Sequence, residues 1–575
     1  MRPVVVRTPA DSRLVESLVG AHGLDIITAR LYANRGVRSP DELDTTLRRL
    51  LPIGSLEHVS AAVDLLLEHR DEPILIVGDF DADGATSTAL MLRCLRRFGF
   101  HDVDYLVPNR FEYGYGLSPE IVAVAARRSP ALIVTVDNGI SSLPGVAAAR
   151  AAGIDVLITD HHLPGGELPD ADVIVNPNLP GSAFGSRSLA GVGVAFYVLA
   201  ALGRRLEEAG TPGAARIPAE YLDLVALGTV ADVVPLDHNN RVLVNQGLAR
   251  IRAGRLVPGL AALFAQSGRR PEAAVSSDLG FAAGPRINAA GRLEDMSIGI
   301  ECLLTDDIAA AERHAATLDA INRERRMIER DMREEAYAQV DRLRLDGLPC
   351  CVCVFDRHWH QGVVGLVAAR VKERCHRPAI AFARDRDGML KGSARSVPGV
   401  HARDLLEAVH SEHPGLIKKF GGHAMAAGLS IAEHDFRAFE DALNGVSRRR
   451  YPDADYSGAI LSDGELPASK LTLDFARRLR DAGPWGSGFP EPVWHGRFSV
   501  VEQRTVGEGH LKMRVRTSAG TTDLDAIAFN QAGPAWRGPV ELAYRLDVNE
   551  FRGVASAQLV VEQIAAAERE AVREG

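Results

Sequence analysis

The chain has 575 residues, of which 46% are hydrophobic and 25% are charged, and its formal net charge is −9. This composition is ordinary for a globular protein of several domains, and the acidic balance excludes a basic coat that binds any polyanion. The most apolar stretch, Val192 to Leu202, is about half of the roughly 20 residues that a membrane-spanning helix needs. The N-terminus carries no apolar signal core, and the six cysteines do not suggest a disulfide framework. We therefore expect a reduced, cytoplasmic protein without a membrane segment.

The first half of the chain changes its apolar pattern near residue 65. Residues 1–65 have helical spacing and predict a helical lead-in. In 66–305, four short apolar runs predict buried strands with helices between them, which is typical of βαβ units and a parallel sheet. These runs are PILIVGD (73–79), VDYLVP (103–108), ALIVTVD (131–137) and DVLITD (155–160). From about residue 186 the segment is mainly helical.

Residues 306–347 predict one long helix, because the segment contains neither Gly nor Pro before Gly347. Leu318, Ile321, Ile328 and Met332 give it one apolar face. The helix either bridges two lobes or packs on the surface of one domain. In the first case, the cleft between the lobes is where we expect a polymeric substrate.

Residues 348–447 predict a second, smaller α/β unit that begins with the strand CVCVFD and the helix GVVGLVAARVKERC. The cysteines at its start, Cys350, Cys351 and Cys353, fit small apolar residues of a buried strand better than a zinc site, since no second pair follows at zinc spacing. Residues 448–575 contain five strand-like segments separated by turn signals, which favours a β-barrel of the OB type. By analogy of fold alone, such a barrel suggests single-strand binding.

Acidic residues follow the first predicted strand directly. Asp79, Asp81 and Asp83 stand at alternate positions, where they repel one another unless cations neutralise them. The twelfth position counted from Asp79 is Leu90 rather than Glu, which excludes a calcium-binding EF-hand loop. An exposed acidic turn remains open for this motif alone.

Two other strand ends and one helix end add further ligands. Asp137 ends the third strand, Asp160, His161 and His162 end the fourth, and Asp232 lies at a helix end. The carboxyl ends of parallel strands share one edge of a sheet, so these groups outline a dinuclear site for Mg²⁺ or Mn²⁺. Asp137 is the natural bridge between two ions that clamp a phosphate.

Candidate substrate-binding residues lie outside this cluster. Gly421, Gly422 and His423 belong to a Gly-rich loop that either cradles a phosphate or forms a tight turn. Arg395 with Ser393 offers a basic fork for a phosphate, and His360 with Gln361 stands at a helix N-terminus. Two further groups have open alternatives. Arg286 and Asn288 either line the substrate path or belong to a solvated patch, and Arg110 and Tyr115 either stack on bases or plug a loop into the core.

Several of these motifs together resemble the DHH phosphoesterase superfamily, named for the Asp-His-His triplet at 160–162. Within it, the chain is similar to the bacterial exonucleases that degrade single-stranded DNA from the 5′ end. The similarity extends over roughly residues 40–565 and includes VGDFDADGATSTA, TVDNGI, ITDHHLP, ALGTVADVVPL, GPRINAAGRL and KFGGHAMAAG. It implies a DHH domain with a parallel sheet, joined by the long helix to a DHHA1 domain and then to the barrel.

The resemblance also implies roles for the matching positions. One ion would bind Asp81 and Asp137, and a second would bind Asp83, Asp137, His161 and Asp232. Catalytic support would come from Asp79, Asp160 and His162, with His162 beside the scissile phosphate, while the second lobe would hold the 5′ end. Val77 stands where some relatives have His, which leaves the coordination of the first ion open.

The implied cellular setting is DNA recombination and repair by a monomer that works with single-strand-binding protein and a RecQ-type helicase. Two other functions remain as alternatives. One is a DHH enzyme that cleaves short oligoribonucleotides or nucleoside bisphosphates, and the other is a non-catalytic scaffold that binds single strands.

Overall fold

The computed structural model describes residues 2–108, 116–345, 347–385, 387–507, 509–518, 520, 523–531, 533 and 535–567. The N-terminal part contains strand β1 (Val4–Val6) and helices α1 (Ser12–His22), α2 (Ile26–Ala33) and α3 (Val59–Glu68). Helices are predicted here, but β1 is not. It pairs in parallel with residues 460–462 near the other end of the chain, a partner that three valines do not reveal.

The first lobe is built on a parallel sheet, as predicted, and the sheet has a fifth strand beyond the four expected. Its strands are β2 (Ile74–Gly78), β3 (Val103–Leu106), β4 (Leu132–Val136), β5 (Asp155–Thr159) and β6 (Val173–Val175), in the order β3-β2-β4-β5-β6. Helices α4 (Ala82–Arg97), α5 (Pro119–Ala126) and α6 (Leu143–Ala151) connect the first four strands. The chain order reverses between β2 and β4, so their carboxyl ends open the crevice in which α/β sheets bind ligands.

A helical layer completes this lobe. It contains α7 (Gly191–Glu208), α8 (Leu222–Ala231), α9 (His238–Arg252), α10 (Pro258–Gln266), the short α11 (Ser276–Asp278), a π-helical turn (Leu279–Ala283), α12 (Gly284–Leu293) and α13 (Ser297–Leu304). Helix α7 is apolar on nearly all sides and packs in the core beside β4 and β5. Its hydrophobic residues are therefore buried against other parts of the lobe. Among the described residues, no single helix is both long and apolar enough to cross a bilayer.

Helix α14 (Ile308–Leu345) joins the lobes, which confirms the bridging interpretation of the long helix. Its 38 residues correspond to a length of about 57 Å at 1.5 Å per residue. In the first half of the helix, Asp319 pairs with Arg286 of α12, and ten residues later Glu329 pairs with Arg370 of the second lobe. Both carboxylates are buried, so α14 is fixed to each lobe by an ion pair.

The second lobe is the predicted smaller α/β unit. It has strands β7 (Val352–Asp356), β8 (Ala379–Arg384), β9 (Met389–Arg395), β10 (Ile417–Gly422) and β11 (Ala426–Ala432), in the order β10-β11-β9-β8-β7. Helices α15 (Val364–Cys375), α16 (Ala402–Glu412) and α17 (Phe436–Arg450) cover it. Cys351 and Cys353 are buried, and all six cysteines are free, as expected for apolar strand residues.

The C-terminal part contains strand β12 (Ile460–Ser462), the partner of β1, helix α18 (Leu473–Asp481) and a closed barrel. The barrel strands are β13 (Trp494–Val506), β14 (His510–Thr517), β15 (Asp523–Ala528), β16 (Gly538–Phe551) and β17 (Val554–Ala566), in the order β13-β14-β15-β17-β16. Buried side chains such as Phe498, Val515 and Tyr544 fill it. Next to β12, Asp463 accepts two hydrogen bonds from Arg35, and both side chains are buried. The N-terminal segment is thus fastened to the region before the barrel.

Candidate metal centre

The turn between β2 and α4 carries the first three carboxylates. Asp81 is the N-cap of α4, and its Oδ1 accepts hydrogen bonds from the backbone amides of Asp83 and Gly84 at 2.9 and 3.0 Å. A Cβ at Gly84 would lie 2.5 Å from the carbonyl oxygen of Asp79, so the turn needs glycine there. This tight turn brings Asp79, Asp81 and Asp83 to the carboxyl end of the sheet.

Asp137 follows β4 in a left-handed backbone conformation with φ at 62°. Non-glycine residues adopt this conformation at a cost, and such sites cluster where function requires a fixed geometry. The next residue, Asn138, donates its side-chain amide to the carbonyls of Val77 and Val136 at 3.0 and 2.9 Å. The ends of β2 and β4 are therefore held together directly beside Asp137.

Asp160 follows β5 and is almost fully buried. It accepts hydrogen bonds from three backbone amides and from Nδ1 of His162, the last at 2.8 Å. Burial alone would raise the pKa of Asp160, but the charge and hydrogen bond of His162, with His161 and the amides, lower it to about 2. Burial likewise opposes the charge of His162, yet Asp160 raises its pKa to about 9. The result is a carboxylate–imidazolium pair at the sheet edge.

His161 points in the other direction, toward three carboxylates. Its Nε2 lies 3.1 Å from Asp137, 3.6 Å from Asp232 and 4.0 Å from Asp83. Burial lowers the pKa of His161 to about 3, and its ring hydrogen-bonds to the backbone of Leu189. A neutral imidazole fixed through one ring nitrogen offers the other as a metal ligand. Among the described residues, Nε2 makes no hydrogen bond.

Asp83 is held by the start of helix α7. Its oxygens accept hydrogen bonds from the amides of Gly191 and Val192 at 2.7 and 2.9 Å. Two glycines allow this close approach, because a Cβ at Gly191 would lie 2.7 Å from the Asp137 side chain and one at Gly228 would lie 2.8 Å from Asp83 Oδ1. The sequence motifs LAGVGVAF and ALGTVAD contain these glycines, but their contact with the site is visible only in three dimensions.

The ligand atoms form overlapping groups, each within 4.8 Å. One group is Asp79, Asp81 and Asp137, another is Asp83, His161 and Asp232, and a third joins Asp137, His161 and His162. Asp137 and His161, whose side chains lie 3.1 Å apart, connect the first two groups. All five predicted metal ligands thus meet in one place. Asp79, expected to play a supporting role, lies among the candidate ligands.

The charges of this cluster suit divalent cations. Burial and neighbouring carboxylates raise the pKa values of Asp83 and Asp137 well above the usual range. Burial and Asp81 raise the pKa of Asp232 to about 7. These shifts favour the protonated carboxyl groups when no cation is bound, because burial and repulsion both disfavour the charged form. Oxygen ligands with one imidazole and no thiolate match Mg²⁺ or Mn²⁺.

The second lobe reaches this centre through the β10–β11 hairpin. The ring of His423 stacks on His162, with centroids 5.4 Å apart and an angle of 24° between the planes. Gly422, just before it, has φ at 138°, and a Cβ there would meet Ala427 at 2.5 Å. Gly421 is exposed. The predicted Gly-rich loop is therefore a tight hairpin end, and it places His423 against the site.

Arg395 of β9 lies next to this hairpin, and its guanidinium has an unusual set of partners. Its Nη1 donates to Ser393 Oγ at 2.9 Å and to the carbonyl of Ala394 at 2.8 Å. A Cβ at Gly365, in the first turn of α15, would lie 2.9 Å from its Nη2. Burial lowers its pKa, and no carboxylate of the described residues pairs with it. A half-buried cation beside a helix N-terminus is suited to an anion.

Other predicted substrate residues have structural partners. Arg286 pairs with Asp319 and donates to the carbonyl of Ala282, and Asn288 Oδ1 accepts from the amide of Ala82 at 2.8 Å. We therefore infer that both hold α12 and the aspartate turn in place. His360 Nδ1 accepts from the amide of Gly362, and Gln361 donates to the carbonyl of Arg384. Arg110 and Tyr115 lie outside the described residues.

Comparisons with known proteins match the same three regions. Family models match the DHH family N-terminal domain at residues 73–229, the DHHA1 domain at 347–448 and the RecJ OB domain at 462–563. The single-stranded-DNA-specific exonuclease RecJ of Dickeya dadantii is 52% identical over 571 residues, which cover 97% of this chain and 98% of that protein. The Escherichia coli protein of the same name is 51% identical over 547 residues, 93% of this chain and 95% of that protein.

Solved structures agree with the sequence comparisons. The crystal structure of RecJ from Thermus thermophilus in complex with Mn²⁺ matches with a TM-score of 0.81 at 31% identity, over 98% of this chain and 79% of that one. The Mg²⁺ complex of the same protein matches with a TM-score of 0.76 at 30% identity, over 98% of this chain and 78% of that one. Mn²⁺ and Mg²⁺, the metals in these two complexes, are those that the ligand chemistry of this site favours.

The raised pKa values predict how pH and metal affect stability. In the folded metal-free protein, Asp232, with a pKa of about 7, and His162, with a pKa of about 9, keep their protons to a higher pH than in the unfolded chain. The raised pKa values of Asp83 and Asp137 act in the same direction. The stability of the folded protein must therefore fall as pH rises through the window between about pH 6.5 and pH 9. The lowered pKa values of Asp160 and His161 act below it. Because Mg²⁺ replaces those protons, we expect Mg²⁺ to raise the melting temperature more at about pH 8.5 than at about pH 6.5.

Thermal melts of chelator-treated protein with and without Mg²⁺ measure this difference. The variant Asp232→Asn removes one repelling charge, so we expect it to stabilise the metal-free protein at the higher pH and to reduce the effect of Mg²⁺. An equal increment at both pH values, or a less stable metal-free variant, contradicts the account.

Proposed function

The chain belongs to the RecJ exonucleases of the DHH family, and on that premise we propose that it degrades single-stranded DNA from the 5′ end by metal-dependent phosphodiester hydrolysis. The observation that carries the proposal is the meeting of two ligand groups at Asp137 and His161. A full-length relative named as a single-stranded-DNA-specific exonuclease, 52% identical, supports it.

We assign the ligands to two divalent cations, Mn²⁺ or Mg²⁺. Asp79, Asp81 and Asp137 would hold one ion, and Asp83, His161, Asp232 and again Asp137 would hold the other. In this assignment, Asp79 supplies the ligand that a His would supply in relatives that have His at the position of Val77. Val77 itself is buried in β2, and its carbonyl accepts a hydrogen bond from Asn138. Such a pair of ions, when bound, activates water and offsets the negative charge of the reacting phosphate.

The residues around these ligands orient the substrate and handle a proton. His162 carries a proton that Asp160 stabilises, so it can donate a hydrogen bond to the phosphate or a proton to the leaving oxygen. Asp160 acts through His162 and is a positioning residue. The stack of His423 on His162 completes the site only when the second lobe lies against the first.

The second lobe supplies the contacts that select a 5′ end. Arg395, Ser393 and the start of α15 form a cationic pocket, and His360 and Gln361 shortly precede α15 in the chain. We propose that this pocket binds the 5′-terminal phosphate while the next phosphodiester lies at the ions. The distance between pocket and centre would then define the cleaved bond, and the barrel would bind the strand further along.

The wider role follows the resemblance. We propose that the enzyme acts in DNA recombination and repair in the cytoplasm, as a monomer, on strands supplied by a RecQ-type helicase and coated by single-strand-binding protein. The alternative substrates, short oligoribonucleotides and nucleoside bisphosphates, leave no purpose for the match to a RecJ OB domain at residues 462–563. A non-catalytic scaffold would have no need for the complete set of ligands.

The proposed activity predicts a specific pattern of products. Oligonucleotides labelled at the 3′ end and incubated with Mn²⁺ should shorten progressively from the 5′ end, whereas blunt duplexes should persist. The variant Asp137→Asn should lower the rate by at least about 1,000-fold, because it weakens both ion sites, and should still bind the oligonucleotide. Degradation from the 3′ end, a preference for duplex, or an active Asp137→Asn variant would refute the proposal.

The assigned 5′-phosphate pocket predicts a selective effect of Arg395→Ala. Loss of a charged contact should raise KM for a 5′-phosphorylated oligonucleotide by roughly 10-fold or more, with little change for the 5′-hydroxyl form. Steady-state kinetics on the matched pair measure the ratio. Lys418→Ala, which removes an exposed cation from β10 of the same lobe, is the control and should leave the ratio unchanged. An equal effect of Arg395→Ala on both substrates would show a structural role instead.

A further inference from the structure

Four large apolar side chains are exposed on chain segments that adjoin residues of the metal centre or pack on the helix that carries Asp232. Leu163 is 51% exposed, Val233 66%, Phe281 77% and Met425 47%. We call these four residues the apolar rim. Each stands on a different element, and nothing in the proposed hydrolysis requires them. Clustered exposed apolar groups at one site mark a surface that binds something.

Two rim residues lie on opposite sides of the junction between the lobes. Leu163 directly follows His162 in the first lobe, and Met425 lies two residues after His423 in the second. The stacked rings of His162 and His423, 5.4 Å apart, bring these two chain segments together. Leu163 and Met425 therefore belong to chain segments that meet at this stack.

The other two rim residues lie where α8 ends. Val233 directly follows the ligand Asp232 and has φ at 64°, a strained conformation for a β-branched residue. Phe281 lies in the π-helical turn at Leu279–Ala283, a type of turn that is frequent at functional sites. This turn packs on α8, since a Cβ at Gly280 would lie 3.2 Å from Val230 and one at Gly284 would lie 3.1 Å from Ala231.

We propose that the apolar rim binds the bases of the nucleotides next to the cleaved phosphodiester. The inference rests on the proposed function, because a strand whose phosphate lies at the ions must place its adjacent bases at the border of the centre. Apolar and aromatic side chains bind base faces without hydrogen bonds, so the contact does not select sequence. A duplex keeps these faces stacked and hidden. The rim thereby favours single strands, and its occupant is the substrate rather than a protein partner.

A binding cycle tests the contact between Phe281 and a base. The probe is a 5′-phosphorylated oligonucleotide of about 12 nucleotides, with or without abasic residues at its first three positions. Fluorescence anisotropy in the Asp137→Asn background, with Mg²⁺, gives Kd without cleavage. We expect Phe281→Ala to weaken binding of the normal strand by roughly 5-fold or more and to change binding of the abasic strand by less than about 2-fold. Phe281→Trp should restore the difference.

Two further variants separate contact from folding. Val233→Gly relieves the strained backbone, so we expect an unchanged or higher melting temperature together with the same base-dependent loss of affinity. Ile308→Ala removes a side chain of similar exposure, 67%, at the start of α14, and should change neither strand. If Phe281→Ala weakens the binding of both strands equally, or of neither strand, the rim does not bind bases. No effect on either strand is also the result expected if the rim binds a protein partner.

The proposed base contact and the proposed hydrolysis can fail independently of each other. If the unmodified chain cuts neither strand but shows the Phe281-dependent preference for bases, the rim stands and the hydrolysis fails. If it cuts both strands and Phe281→Ala has no base-dependent effect, the exonuclease stands and the rim is overturned.

Discussion

Repulsion between buried carboxylates is the constraint on which the site depends. Asp83, Asp137 and Asp232 are forced close together by three different elements, and burial together with the neighbouring charges raises the pKa of each. The fold tolerates this because backbone amides at the start of α7 hold Asp83 and because glycines at 191 and 228 leave no side chain in the way. The cost of assembling such a cluster is offset when cations bind, which links the stability of the lobe to its chemistry.

Helix α12 links the aspartate turn to the second lobe. Helix α12 contacts the aspartate turn through Asn288 and Gly291. The same helix contacts α14 through Arg286. It contacts the second lobe through Arg292, whose guanidinium donates to the carbonyl of Gly362. A shift of the second lobe would therefore be transmitted to the turn that carries the candidate metal ligands.

The site can be predicted from the sequence because most of its residues directly follow buried strands. Buried runs predict strands β2 to β5, and parallel strands deliver Asp83, Asp137 and His161 to one edge. The sequence does not show which carboxylate joins which group, so Asp79 is assigned a supporting role although it lies with Asp81 and Asp137. It makes Arg286 a candidate for the substrate path or for a solvated patch, because the sequence shows no partner for its charge. The partner that buries that charge, Asp319, lies on another helix.

Two further features could not be inferred from pattern at all. Strand β1 depends on a partner more than 450 residues away, and three valines are too short a signal. The exposed residues Val233 and Phe281 look in the sequence like ordinary core residues. An apolar residue is often buried, but the sequence does not show whether a particular one is.

Anomalous diffraction from crystals of the protein loaded with Mn²⁺ can show whether two ions bind and share a ligand. We expect two manganese peaks that share Asp137 as a ligand, one beside Asp79 and Asp81 and the other beside Asp83, His161 and Asp232. A single peak at saturating Mn²⁺, or two peaks with no common contact to Asp137, would contradict this assignment.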